Sequence, residues 1–64
     1  MIRLFTMIEL ERLTNIQLEE LRIALHHLLA QSEPSTADRR NILATLENID
    51  RVCNYRRAER VPSI

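Results

Sequence analysis

The side chains that could carry chemistry are few: one cysteine, two adjacent histidines and nine basic residues, all of which are arginine. His26 and His27 would point about 100° apart on a helix, and neither has a histidine or carboxylate three or four residues away to complete a metal site. Cys53 belongs to an apolar stripe and has no histidine within a helical turn to serve as a base. We therefore expect no metal, no cofactor and no catalytic residue, and a protein that is not an enzyme.

The composition limits the chain to a few classes. It has 64 residues, no glycine, zero formal net charge and an apolar fraction of 45%. A chain this short forms one small domain, and the lack of glycine disfavours barrels, sandwiches and phosphate-binding loops. The apolar fraction is too high for a disordered chain. No run approaches the ~20 apolar residues that span a bilayer, so no membrane association is expected. A single cysteine fits a reducing, cytoplasmic setting.

Local signals predict two helices joined by a short loop. Thr14 and Gln17 match a capping box, which starts a first helix over about residues 15–31. Pro34 ends that helix, and Ser35 or Thr36 caps a second helix over about residues 36–57. Pro62 prevents its extension, so residues 59–64 are expected to be a frayed tail. The short connection predicts an all-α fold in which residues 13–58 form an antiparallel helical hairpin.

The N-terminal segment, residues 1–12, stays open between helix, strand and disorder. Met1, Leu4, Phe5 and Ile8 follow helical spacing, whereas alternate apolar positions from Ile2 onward follow strand spacing. Met7 could also be the natural start of the protein.

The apolar pattern exceeds what one hairpin can bury. The two helices each carry a seam, and these seams are expected to face each other: Leu18, Leu21, Leu25 and Leu28 on the first helix; Ile42, Leu46, Ile49 and Cys53 on the second. A second apolar set remains unpaired and must be covered by the N-terminal segment, a second copy or another protein. It forms a candidate partner or dimer face: Ile16, Ile23, Ala30, Leu43 and Val52. Because two helices give too small a core, we expect a homodimer, most simply a four-helix bundle. The first function hypothesis is a small interaction or regulatory protein that acts as this dimer, with the outer face of the first helix open to a protein partner.

An arginine-rich second helix supports the alternative hypothesis, a small nucleic-acid-binding regulator of plasmid or operon type. Residues 34–64 hold six arginines and four acidic residues, a net charge of +2. Arginines beside an aromatic ring can bind phosphates and stack on a base. The candidate contacts are Arg39, Arg40, Arg51, Tyr55, Arg56 and Arg57.

In length, hairpin and paired seams, the chain resembles the Rop family of plasmid RNA-binding proteins, which are dimeric four-helix bundles. That family binds RNA on the first helices of its dimer, and the corresponding face here, with Ile16, Glu20, Ile23 and His27, is acidic and apolar. If residues 2–10 were a strand, the order of elements would instead resemble the ribbon-helix-helix repressors. Both resemblances concern architecture, which does not determine function.

Overall fold

The computed structural model describes residues 2–60, and within them the chain is 78% helical without strands. The elements are α1 (Met7–Glu11), α2 (Asn15–Gln31) and α3 (Ala37–Arg60). The predicted all-α class and the helix over residues 15–31 are confirmed. The second predicted helix is longer than expected, since residues 59 and 60, assigned to a frayed tail, continue α3. The rest of that tail, residues 61–64, lies outside the described residues.

The boundaries of α2 follow from its caps. The Thr14 hydroxyl accepts from the backbone N–H of Gln17 at 3.1 Å, and the Gln17 side chain accepts from the N–H of Thr14 at 2.9 Å. This reciprocal capping box satisfies donors that the helix start would otherwise leave unpaired. At the other end, the Ser32 hydroxyl donates to the Leu29 carbonyl at 2.9 Å. Ser35 then turns the chain in a left-handed conformation, with φ 66°, where glycine is the commoner residue.

A second capping box, which the sequence analysis overlooked, starts α1. The Thr6 hydroxyl accepts from the N–H of Glu9, and the Glu9 carboxylate accepts from the N–H of Thr6 at 3.1 Å. The chain has no regular secondary structure over residues 2–6, Thr6 itself is extended, and the helix begins at Met7. The strand over residues 2–10 that a ribbon-helix-helix arrangement implies does not form, because this cap begins a helix in the middle of it.

Helix α3 is the element on which the others pack. α2 runs beside it in the opposite direction, as Arg56 near the end of α3 contacts Asn15 and Arg39 near its start contacts Leu29. The N-terminal segment and α1 lie along α3 in the same direction as α3 itself, from Asp38 towards Asn48 and beyond. The buried apolar side chains form one cluster: Leu10, Leu18, Leu25, Ile42, Leu46, Ile49 and Val52.

The molecule is long and thin. Its principal extents are 46 × 19 × 16 Å and its radius of gyration is 13.1 Å, against about 11 Å for a compact chain of this length. Its accessible surface is 5062 Å², whereas about 4300 Å² is typical of this mass. The core is thus one layer of side chains deep, and several large apolar side chains of the described residues remain exposed, Ile8 and Ile16 most of all among the aliphatic ones.

Candidate interaction surfaces

The outer face of α2 is a row of exposed residues on the side opposite its buried leucines. Ile16 is 73% exposed and Ile23 is 49% exposed. The complete row, which we call the outer face, follows 4-3-4-3 spacing and consists of Ile16, Glu20, Ile23, His27 and Ala30, all of which are exposed. This spacing keeps side chains on one line along a helix, as at the seam between two paired helices.

A neighbouring ion pair borders the outer face. Arg22 binds the Glu19 carboxylate through two nitrogens, and this hydrogen bonding lowers the pKa of Glu19. The pair lies on one helix at i, i+3 spacing. Glu19 is therefore engaged with its own helix, which leaves Glu20 as the carboxylate that lies between the two isoleucines of the outer face.

The two residues of the predicted partner face that lie on α3 differ in exposure. Leu43 is 46% exposed and remains on the surface of α3. Val52 is 2% exposed and packs in the core, so its assignment to a partner face is wrong. The reason is the N-terminal segment and α1, which cover the side of α3 that a two-helix hairpin would have left open. Val52 lies in the groove wall between α3 and Met7 of α1.

Three of the six predicted nucleic-acid contacts bind other parts of the chain. Arg39 donates to the Leu29 carbonyl at 3.2 Å and so caps the end of α2. Arg51 pairs with Glu47 at 2.6 Å on the surface of α3. Arg56 makes the most contacts of the three, because it binds Asn15, the carbonyl of Glu11 at the end of α1 and that of Leu13 in the following loop, at 2.6–3.0 Å. The guanidinium groups of Arg39 and Arg56 therefore join different elements of the fold, whereas that of Arg51 pairs within its own helix.

The remaining predicted contacts, Tyr55, Arg40 and Arg57, are exposed but do not lie together. Tyr55 is 68% exposed, and it lines a shallow groove between α1 and α3 together with Arg51. Glu11 and Glu59 line the same groove, and their carboxylates oppose the binding of phosphate. Arg40 and Arg57 are exposed elsewhere on α3. The structure therefore does not bring the six residues into one basic surface.

The extended N-terminal arm (residues 2–6) is held by a row of polar side chains on α3. Asp38 accepts from the N–H of Ile2 at 3.1 Å, and Asn41 donates to the carbonyl of the same residue at 2.9 Å. Thr45 accepts from the N–H of Phe5 at 3.1 Å, and Asn48 donates to the Phe5 carbonyl at 3.0 Å. We call Asp38, Asn41, Thr45 and Asn48 the polar stripe. The sequence analysis missed the stripe, although the repeated spacing of an acceptor followed three residues later by asparagine was visible.

A charged contact fastens the arm to α1. Arg3 lies 4.2 Å from the centre of the Phe5 ring and pairs with Glu9 at 2.6 Å. The hydrogen bond from Arg3, with that from the Thr6 backbone, lowers the pKa of Glu9 from 4.5 to about 2. Both side chains are largely exposed, so the ion pair is worth little in water and acts mainly to orient the arm.

This pKa predicts the pH at which the arm loosens. A carboxyl group whose pKa is lower in the folded chain stabilises it above the unfolded pKa, and the contribution disappears as the pH falls through the folded value. We expect the contribution of Glu9 to arm docking to be constant from pH 7 to about 5, and to be lost as the pH falls from about 4.5 towards 2. Amide and ring NMR signals of Phe5 would record the change.

The matched control for this titration is Glu9→Gln, which keeps a capping side chain at the third helical position but carries no charge. Its Phe5 signals should lack the acidic step. An unchanged step in Glu9→Gln would show that another carboxylate controls the arm.

Within residues 2–60, no group of three histidine, cysteine, aspartate or glutamate side chains is placed to hold a metal ion. No helix of the described part is long and apolar enough to cross a membrane. Comparisons with models of protein families, with curated proteins and with solved structures found no significant match.

Proposed function

We propose that the chain is a small, non-enzymatic helical interaction protein that acts as a homodimer through the outer face of α2. The observation that carries the proposal is the exposure of Ile16 and Ile23 on one line of a helix whose opposite side is already packed. Apolar residues in such a row, in a molecule with excess exposed surface, are typical of a helix that pairs with another helix.

The order of residues along the outer face favours a second copy as the partner. If two α2 helices pair in opposite directions around a two-fold axis at Ile23, Ile16 of one copy meets Ala30 of the other, so a large residue lies opposite a small one. Glu20 is three residues from the axis and His27 is four residues from it on the other side. The Glu20 carboxylate of one copy and the His27 imidazole of the other then differ by about 1.5 Å in position along the helix axis. A two-fold interface makes each such contact twice.

A parallel pairing lacks this match. It would place Glu20 against the partner's Glu20, and like charges at a helix seam are unfavourable. The antiparallel pairing gathers four long helices, α2 and α3 of each copy, with the two α2 helices in the middle. The proposed dimer is therefore a four-helix arrangement with α2 of each copy at its centre. The nucleic-acid alternative has less support, because half of its predicted contacts bind the chain itself.

Sedimentation equilibrium on the wild type and on Ile23→Glu tests the dimer. The wild type is expected to associate at tens of micromolar, because one pair of helices buries less than a standard interface. Ile23 lies on the proposed axis, so a single substitution removes two apolar side chains and opposes two carboxylates. We expect the dimer dissociation constant to rise at least about a hundredfold, as burial and charge together contribute ~3 kcal/mol or more.

The matched control is Ile8→Glu, since Ile8 is 66% exposed on α1 and lies outside the outer face. It should associate like the wild type. A wild type that sediments as a folded monomer at tens of micromolar would contradict the proposal, and so would equal loss of association in both variants.

A further inference from the structure

The polar stripe of α3 binds the arm through main-chain atoms only. Its four hydrogen bonds join Asp38, Asn41, Thr45 and Asn48 to the N–H and carbonyl groups of Ile2 and Phe5, at distances of 2.9–3.1 Å. The bound residues contribute no polar side-chain atom to these contacts. The stripe therefore recognises an extended backbone, whatever the sequence that it belongs to.

The geometry of this recognition is periodic. Asp38 and Thr45 both accept and are seven residues apart, and Asn41 and Asn48 both donate and are seven residues apart. Seven residues of helix rise about 10.5 Å, and three residues of extended chain span about 10 Å. One seven-residue repeat of the helix thus matches three residues of the bound segment, which is the separation of Ile2 and Phe5.

Side-chain selectivity is confined to two positions of the arm. Ile2 and Phe5 are partly buried against the core, whereas Arg3 and Leu4 are exposed. A segment that fits the stripe needs apolar residues at the first and fourth positions and tolerates other residues between them. Thr45 is fully buried beneath the arm, so any segment that occupies the stripe must supply a backbone N–H to its hydroxyl or leave a buried polar group without its partner.

We propose that the polar stripe is a binding site for an extended peptide segment of a partner protein, with apolar residues three positions apart, and that the arm occupies this site as an internal competitor. Exchange is feasible because every hydrogen bond between the arm and the polar stripe uses backbone atoms of the arm, which another extended segment also offers. This site is on α3, so the inference is independent of the proposed dimer through α2.

The test uses a variant without residues 2–5, which frees the stripe and keeps the Thr6 cap. The probe is the amidated hexapeptide with the sequence of residues 1–6, labelled at its C-terminus. We expect it to bind the shortened chain with micromolar affinity and the full chain at least about tenfold more weakly, because the arm competes. Asn48→Leu in the shortened chain removes one partly buried hydrogen bond and should weaken binding about five- to tenfold.

Two further peptides test the selectivity. Alanine in place of Arg3 and Leu4 should change affinity by less than about threefold, whereas serine in place of Ile2 and Phe5 should abolish binding, because the apolar contacts are lost. If the shortened chain does not fold, the full-length variant with serine at positions 2 and 5 replaces it, since its arm lacks the same anchors. Circular dichroism establishes that the variant used is helical.

Three results would overturn the inference. The first is a folded variant that binds no peptide at millimolar concentration. The second is a full chain that binds as tightly as the variant with the free stripe, which would place the peptide elsewhere. The third is binding of the native sequence alone, with the alanine peptide inactive, which would make the arm a fixed part of the fold.

Discussion

Leu25→Ala is expected to leave about half of the population unfolded at room temperature. Leu25 is 2% exposed and belongs to the single core cluster between α2 and α3. Truncation of a buried leucine costs ~2–5 kcal/mol through lost burial and the cavity that remains. A core of this size rarely supplies more than about 3–5 kcal/mol in total. The free energy of unfolding should therefore fall close to zero.

Leu28→Ala is the matched control, because Leu28 lies on the same helix and is 40% exposed. We expect it to cost less than about 1 kcal/mol. Urea unfolding followed by circular dichroism, at one fixed chain concentration, compares the two, since any dimer adds concentration-dependent stability. Equal losses in both variants would mean that the boundary between core and surface on α2 is not where the structure places it.

Leu10→Ala is expected to release the N-terminal part of the molecule while α2 and α3 stay paired. Leu10 is fully buried and is the only buried residue of α1. A helix of five residues has no stability of its own and depends on such an anchor. Hydrogen exchange should show the amides of Ile2 and Phe5 losing protection by at least about tenfold. The amides of the central turns of α3 should keep most of theirs.

Leu4→Ala serves as the control for this local opening, because Leu4 is 42% exposed in the same segment. It should leave the protection of Ile2 and Phe5 nearly unchanged. If Leu10→Ala instead removed protection from all three helices together, the N-terminal part and the helix pair would form one cooperative unit.

The positions of helices could be predicted where the sequence contains capping residues or a proline that ends a helix. The bounds of α2 follow from Thr14 and Gln17 at its start and from Pro34 after its end, and these signals act within a few residues. The same reasoning applied to Thr6 and Glu9 would have placed α1. The mixed apolar pattern of residues 1–12 concealed it, because the segment is extended in its first half and helical in its second.

The docking of the arm could not be predicted from apolar periodicity. Its contacts join polar side chains of α3 to backbone atoms some forty residues away, and backbone groups carry no sequence signature. Val52 was assigned to a partner or dimer face because the apolar pattern left open whether the N-terminal segment, a second copy or another protein would cover it; the structure shows that the N-terminal part does so. Arg56 was taken as a nucleic-acid contact because sequence alone does not show that the loop at Glu11 and Leu13 presents carbonyls to it.

Because seven residues of helix and three residues of extended chain have nearly the same length, the polar side chains of α3 determine how long a segment the helix binds. The next position in the series of acceptors, seven residues after Thr45, is Val52, whose side chain forms no hydrogen bond. The N-terminal segment correspondingly stops being extended after Thr6 and forms α1. The number of seven-residue repeats on α3 therefore sets the length of the segment that the helix binds. Each further seven-residue repeat of helix that carries an acceptor and an asparagine would lengthen the bound segment by three residues. Such repeats add binding positions on the surface of the helix without changing the core.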